Sequence, residues 1–194
     1  IFNENLIENL KKKINFYSSP VLTVSSYVSA FLQKKISERG IRVNLSGNGS
    51  DEIFSGYYQH HAYYLKTIKK QKNYLENYKH WKEKIYPIVR NPHLRNEKIF
   101  LKNKNYIKSL LNYLVNPEIL NIFKKKYSYN FKEKKFSHNF LKNRMYNEIF
   151  YENVPTALFE DDRNHMYYSI ENRSPFLDKE LVEFAHTLPP EFLI

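Results

Sequence analysis

The chain has 194 residues, 42% of them hydrophobic and 26% charged, a balance that excludes wholesale disorder and is enough for one domain or a little more. It holds no cysteine, which removes disulfide frameworks, zinc–thiolate sites, iron–sulfur clusters and thiol nucleophiles together. The formal net charge is +11, from 31 Lys and Arg against 20 Asp and Glu; the excess suits nucleic acid, a membrane surface or an anionic substrate, and follows equally from AT-rich coding.

Leu6, Ile7, Leu10 and Ile14 recur at helical spacing and predict a first helix. A second follows Pro20, with Val24, Tyr27, Val28, Phe31, Leu32 and Ile36 expected on its buried face and Gly40 as its stop. Ile41-Arg42-Val43-Asn44-Leu45 alternates and is short, as a strand should be. Helix, strand, glycine-rich turn and helix in that order form one unit of an α/β sheet. From Ile53 to His138 the pattern predicts only helices, with a long, Tyr- and Lys-rich stretch over 57–86 and breaks at Pro87, Pro92 and Pro117. Lys124-Lys125-Lys126 and Lys132-Glu133-Lys134-Lys135 are expected as solvated helix faces or loops. Helices resume over 139–151 and from Pro155. The loop Ser174-Pro175-Phe176-Leu177 follows, then a last helix over about 179–187, closed by Pro189 and Pro190. No apolar run reaches the ~18–20 residues of a membrane span and no signal pattern opens the chain, so a soluble, cytoplasmic protein is expected. Because the chain opens on Ile1 and closes on the apolar run Phe192-Leu193-Ile194, it is expected to be a piece of something longer.

All four glycines lie between Gly40 and Gly56. In Ser46-Gly47-Asn48-Gly49-Ser50-Asp51-Glu52, Gly47 and Gly49 can take positive φ and let another molecule approach the backbone. The N–H groups of such a turn make an anion nest, and Asp51 is a hard oxygen ligand placed for the Mg²⁺ that a phosphate brings. The plainer reading is a tight turn in which Ser50 or Asp51 caps the next helix. Near the C-terminus, Glu160-Asp161-Asp162-Arg163 and Glu171-Asn172-Arg173 set carboxylates beside arginines, which can orient a zwitterion or simply pair with each other. His165 between them reads as a packing or hydrogen-bonding residue, and adjacent His60 and His61 point to different helix faces and do not read as a metal site.

Taken together, the segment from Val43 to Tyr57 resembles the L-S-G-E-G-x-D-E-L-F-G-G-Y signature of the glutamine-hydrolysing asparagine synthetases. Asp161-Asp162-Arg163-Asn164-His165-Met166 and Ser169 to Asp178 resemble that family's D-R-x-S-M…E-x-R-x-P-F-L-D block. The likeness covers about residues 1–65 and 140–194, and its wording is most similar to the branch linked with surface-polysaccharide genes. It implies an α/β fold, the predominantly helical C-terminal part of an ATP-pyrophosphatase-type (adenine nucleotide α hydrolase-like) synthetase domain. Residues 1–65 would be the strand and nucleotide part, 66–139 a variable helical part, and 140–194 the substrate-loop part. The implied activity is glutamine-dependent asparagine synthesis from aspartate through an aspartyl-adenylate, with ATP and Mg²⁺, and with ammonia supplied by a glutaminase domain. Neither nucleic acid nor a membrane is implied as a partner, and a homodimer is left open. Ser46, Gly47 and Gly49 would meet the nucleotide and Asp51 the metal. Asn48, Glu52, Asp162 and Arg163 are the catalytic candidates, while Glu171, Arg173 and Asp178 would fix the loop that carries Pro175-Phe176-Leu177.

The sequence departs from that pattern at four places. Asn48 replaces the usual Glu or Gln, and a short neutral amide cannot act as a base. His165 replaces a small residue, Ser55 replaces the first glycine of G-G-Y, and Ser18-Ser19-Pro20 stands where an acidic D-E-P turn is expected. The family's S-G-G-x-D-S pyrophosphate loop and nucleophilic cysteine would lie before Ile1, so residues 1–194 alone are expected not to turn over. Two alternatives stay open, a catalytically degenerate scaffold and an amidotransferase acting on a sugar uronate.

Overall fold

The computed structural model describes residues 5–95 and 132–194. Lys124-Lys125-Lys126 and the break expected at Pro117 lie outside the described residues. The chain divides into two compact units, one of Ile1–Ile53 with Glu148–Thr187, the other of Phe54–Asn147 with Leu188–Ile194.

The first unit opens with α1 (Leu6–Tyr17), whose N-cap Asn5 accepts a hydrogen bond from the Glu8 amide, and which ends on Ser18 in the left-handed region. In α2 (Val24–Glu38), Thr23 caps the Ser26 amide at 3.0 Å, and Gly40 at φ +76° turns the chain out. β1 (Val43–Leu45) then leads through the glycine-rich turn into the short α3 (Ser50–Phe54). From the far end of the chain come α8 (Asn153–Met166), β2 (Glu171–Arg173), a 3₁₀ turn (Pro175–Leu177) and α9 (Lys179–Thr187). β1 and β2 pair in parallel, Val43 opposite Glu171, Asn44 opposite Asn172 and Leu45 opposite Arg173. Glu171 N–H to Arg42 O and Ser46 N–H to Arg173 O, each 2.8 Å, lengthen the ladder. The result is mostly helical with a small parallel sheet, an α/β arrangement.

α2 does not bury the face its apolar spacing predicts. Val24 is 80% exposed, and Val28 and Leu32 are exposed with it, while Ser26, Ala30 and Gln33 are the buried positions. The stripe of Ser26, Ala30 and Gln33 is small and polar, and Ser26 hydrogen-bonds Glu160 and Asn164 of α8, so α2 presents that stripe to α8. β2 was not legible as a strand either, because Glu-Asn-Arg has low strand propensity and only its pairing with β1 makes it one.

The second unit holds α4 (Tyr58–Thr67), α5 (Tyr74–His80), a π-helical turn (Trp81–Ile85), α6 (Pro92–Arg95) and, mostly within it, α7 (Phe140–Phe150). The Tyr- and Lys-rich stretch is one source of its core. Ala62, Tyr63, Tyr64, Leu65, Ile68 and Trp81 cluster with Leu141, Met145 and Leu193. Its first break falls at Ile68–Asn73 with no proline there, where Thr67 Oγ1 donates to the Tyr63 carbonyl and the turn closes by Gln71 N–H to Ile68 O. Residues 132–138 are irregular rather than helical. Asn147 both accepts from and donates to the Lys134 backbone, Asn143 accepts from Phe136 and Ser137, and Arg144 pairs with Glu133 at 2.6 Å. Those side chains give the backbone partners a helix would otherwise supply.

Candidate functional site

The glycine-rich turn and the C-terminal loop are built against each other. Gly49 sits at φ +91°, and a Cβ there would lie 2.2 Å from Leu177 Cδ2, so the side chain of the Pro175-Phe176-Leu177 turn occupies the space a side chain at 49 would need. Gly47 is different. Its φ is not positive, and nothing lies within 4 Å of where its Cβ would stand, so its backbone faces open space. Ser50 is the first residue of α3, not its side-chain acceptor cap: its hydroxyl donates back to Gly47 O at 2.8 Å.

Around the turn a polar seam joins the two motif blocks. Ser46 Oγ lies 3.0 Å from Ser174 Oγ, and Asn172 donates to Ser46 Oγ at 3.4 Å. Asn44 Nδ2 donates to Asn172 Oδ1 at 3.3 Å and meets His165 Nε2 at 3.0 Å. With Nε2 accepting, His165 Nδ1–H donates to the Asp161 carbonyl at 2.6 Å, which makes this buried histidine a strut between β1 and α8. Asn48 Nδ2 donates to Asp161 Oδ2 at 2.7 Å. That contact gives the departure at 48 a physical account, because a carboxylate there would face the Asp161 carboxylate.

The other candidates divide. Glu52 is buried on α3, whereas Asp51 is exposed. Asp162 is exposed, because two further residues along α8 turn it about 200° away from Glu160. Arg163 donates to Ser19 Oγ and lies 3.6 Å over the Phe159 ring. Asp178 accepts from the Glu180 and Leu181 amides and so starts α9, and Glu171 pairs with Arg173 at 2.8 Å on the exposed face of β2.

Beside Asn48 and Asp161 opens a cleft of about 560 Å³, with Thr23, Ser26, Glu152 and Glu160 also in its wall. Behind Glu160 lies a buried network that sequence reasoning missed. Ser26 Oγ donates to Glu160 Oε2. Asn164 donates to the carbonyl and hydroxyl of Ser26, each at 3.0 Å, and accepts from Tyr17 at 2.5 Å and Lys13 at 3.4 Å. Burial pushes the Lys13 ammonium down to about 8 against the pull of Glu160, and burial and Glu160 together push the Tyr17 hydroxyl up to about 12. One signal for this face was present in the sequence: Asn153, Thr156 and Glu160, with the small Ala157 among them, follow helical spacing on one side of α8.

The chain matches the family model for asparagine synthase over residues 1–194. It belongs to the asparagine synthase family, a family of ATP-dependent amidoligases. No curated protein and no solved structure matches it. Among the described residues no helix is long and apolar enough to cross a membrane.

Proposed function

We propose that the chain carries the nucleotide turn and the acceptor side of an ATP-pyrophosphatase-type synthetase that makes asparagine from aspartate, with ammonia from a glutaminase domain. The observation that supports this best is the meeting of the two motif blocks: Asn48 bonds Asp161 across 113 residues of chain and Ser46 meets Ser174 across 128. In that reaction a carboxylate oxygen of the acceptor attacks the α-phosphorus of ATP and pyrophosphate leaves with the bonding electrons. Ammonia then attacks the activated carbon, AMP departs, and a proton is lost from nitrogen.

The open backbone at Gly47 leaves room for a phosphate, with Ser46 beside it and Gly49 shaping the turn through its own positive φ. Asp51 fits Mg²⁺ as an exposed hard oxygen donor, since that ion keeps most of its waters and needs few protein ligands. The metal, when bound, would neutralise charge on the departing pyrophosphate. Glu52, Asp162 and Arg163 are assigned to the acceptor's surroundings on the motif alone, since none of the three lines the cleft beside Asn48, and Asn48 holds Asp161 in place rather than taking a proton.

Exchange of labelled pyrophosphate into ATP by the full-length native protein tests this, since residues 1–194 alone are expected not to turn over. Aspartate-dependent exchange is expected, reduced at least about tenfold in Asp51→Asn. ATP binding with no exchange on any carboxylic acid would turn the reading into that of a scaffold, and exchange on a hexuronate but not on aspartate would move the acceptor to a sugar acid.

A further inference from the structure

The cleft beside Asn48 has the opposite electrostatic character to the chain that makes it. The chain carries a formal net charge of +11, yet the charged residues lining the cleft are Glu152, Glu160 and Asp161, with no Lys, Arg or His among the lining. Ser25, Ser29 and Thr156 add hydroxyls. Asp161 is already engaged by Asn48. Glu160 is not fully engaged. It is only 7% exposed, its Oε2 accepts from Ser26, and its Oε1 is buried with no hydrogen-bond partner. A buried carboxylate oxygen without a partner is costly and calls for an occupant. Lys13 is close enough to feel the charge of Glu160, but its ammonium is hydrogen-bonded to Tyr17 and Asn164 and lies over the rings of Tyr17, Tyr167 and Tyr168.

The occupant this wall suits is a cation, and an organic one. Among the described residues no three His, Asp or Glu side chains converge tightly enough to hold a metal ion. The space, about 560 Å³, falls within the roughly 300–1,000 Å³ usual for small-molecule pockets and far exceeds a bare ammonium ion. We propose that Glu160 is the anionic anchor of this cleft and takes the ammonium group of a small amine-bearing ligand, with Thr23 and Ser26 as hydroxyl partners. That the ligand is the amide acceptor rests on the amidoligase reading; the anchor itself does not. A sugar acid without an amine would meet only like charge here.

Calorimetric titration of the native protein with L-aspartate, succinate and ammonium chloride tests the anchor. Succinate keeps the carbon skeleton and both carboxylates of aspartate and lacks only the amine. Aspartate is expected to bind about tenfold to hundredfold more tightly than succinate, the range of one charge-assisted hydrogen bond. Glu160→Gln keeps the shape and the acceptor for Ser26, and is expected to bring aspartate down to the affinity of succinate while the protein still unfolds in one cooperative transition. If Glu160→Gln fails to fold, Ser26→Ala in its place is expected to narrow the preference by freeing the carboxylate to turn. Ammonium chloride that competes with aspartate at equal affinity would overturn the organic ligand, since the cleft would then select free ammonium. Equal binding of aspartate and succinate to the unmodified protein, binding of neither, or a preference that survives Glu160→Gln would each overturn the proposal. Pyrophosphate exchange separates the two ideas: exchange without amine preference removes the anchor alone, and amine preference without exchange removes the amidoligase reading alone.

Discussion

In the unit of α1, α2 and α8, Lys13, Ser26, Gln33, Glu160, Asn164 and His165 are buried, most of them linked by hydrogen bonds. In the unit of α4 to α7 the cluster is Tyr63, Tyr64, Leu65, Ile68, Trp81, Leu141 and Met145. The first buries Ile53, Val154 and Ile170 too, but sets beside them a linked polar network whose stability depends on its atoms finding partners; the second depends on filled volume. The candidate chemistry sits in the first, where buried charge and hydroxyls converge on a cleft. A polar core is a poor way to gain stability and a good way to hold side chains in one arrangement.

The largest break in this comparison should come from the volume-dependent side. Trp81 is 3% exposed at the centre of its cluster, and Trp81→Ala should cost about 3–5 kcal/mol in denaturant unfolding. Its indole N–H is buried without a partner, so Trp81→Phe should cost far less, since no hydrogen bond is lost. Equal losses for the two substitutions would mean that the nitrogen, not the ring volume, matters.

Acid and alkali should sharpen the contrast from opposite ends. In the aromatic unit, burial, with His60 and His80 nearby, pushes His61 down to about 4. The unfolded chain therefore binds the extra proton first, and stability falls as pH drops from about 6.5 towards 4. In the polar unit Lys13 is pushed down to about 8, so the unfolded chain again holds more protons between pH 8 and 10.5, and stability rises with pH through that window. At 1.36 kcal/mol per unit the Lys13 effect is no more than about 3 kcal/mol. Urea midpoints across pH should lose the acid slope in His61→Asn and the alkaline slope in Lys13→Met. An acid slope unchanged in His61→Asn would assign it to carboxylates instead.

Legibility in the sequence followed the same divide. Helices α1, α2, α7, α8 and α9 were readable from periodicity, caps and prolines, and the glycine-rich turn from its spacing. The buried face of α2 was not, because apolar spacing says nothing about a Ser that bonds a Glu 134 residues away. β2 was invisible for the same reason: Glu171-Asn172-Arg173 is a strand only beside β1. The acidic run over 160–162 is plain in the sequence, but sequence alone does not say which carboxylates face inward. The helix turns Glu160 and Asp161 to the cleft and Asp162 to solvent.

The smallest expected effect contrasts serines between the two units. Ser18, Ser55 and Ser169 all hold positive φ, at 51°, 67° and 55°. Ser18 and Ser169, in the polar unit, are exposed, so each bears only the backbone strain of a left-handed residue with a Cβ. Ser55, in the aromatic unit, is buried, and its hydroxyl has no partner. It also stands where the asparagine synthetase signature carries glycine. Ser55→Gly removes the strain and the unpaired hydroxyl, against a loss from the greater freedom of glycine in the unfolded chain. The balance should be a gain of about 1 kcal/mol in thermal unfolding, whereas Ser18→Gly should gain less than half of that, having no buried hydroxyl to relieve. A destabilised Ser55→Gly would mean that the hydroxyl holds a partner of its own, and the departure at 55 would then be a functional substitution rather than a tolerated one.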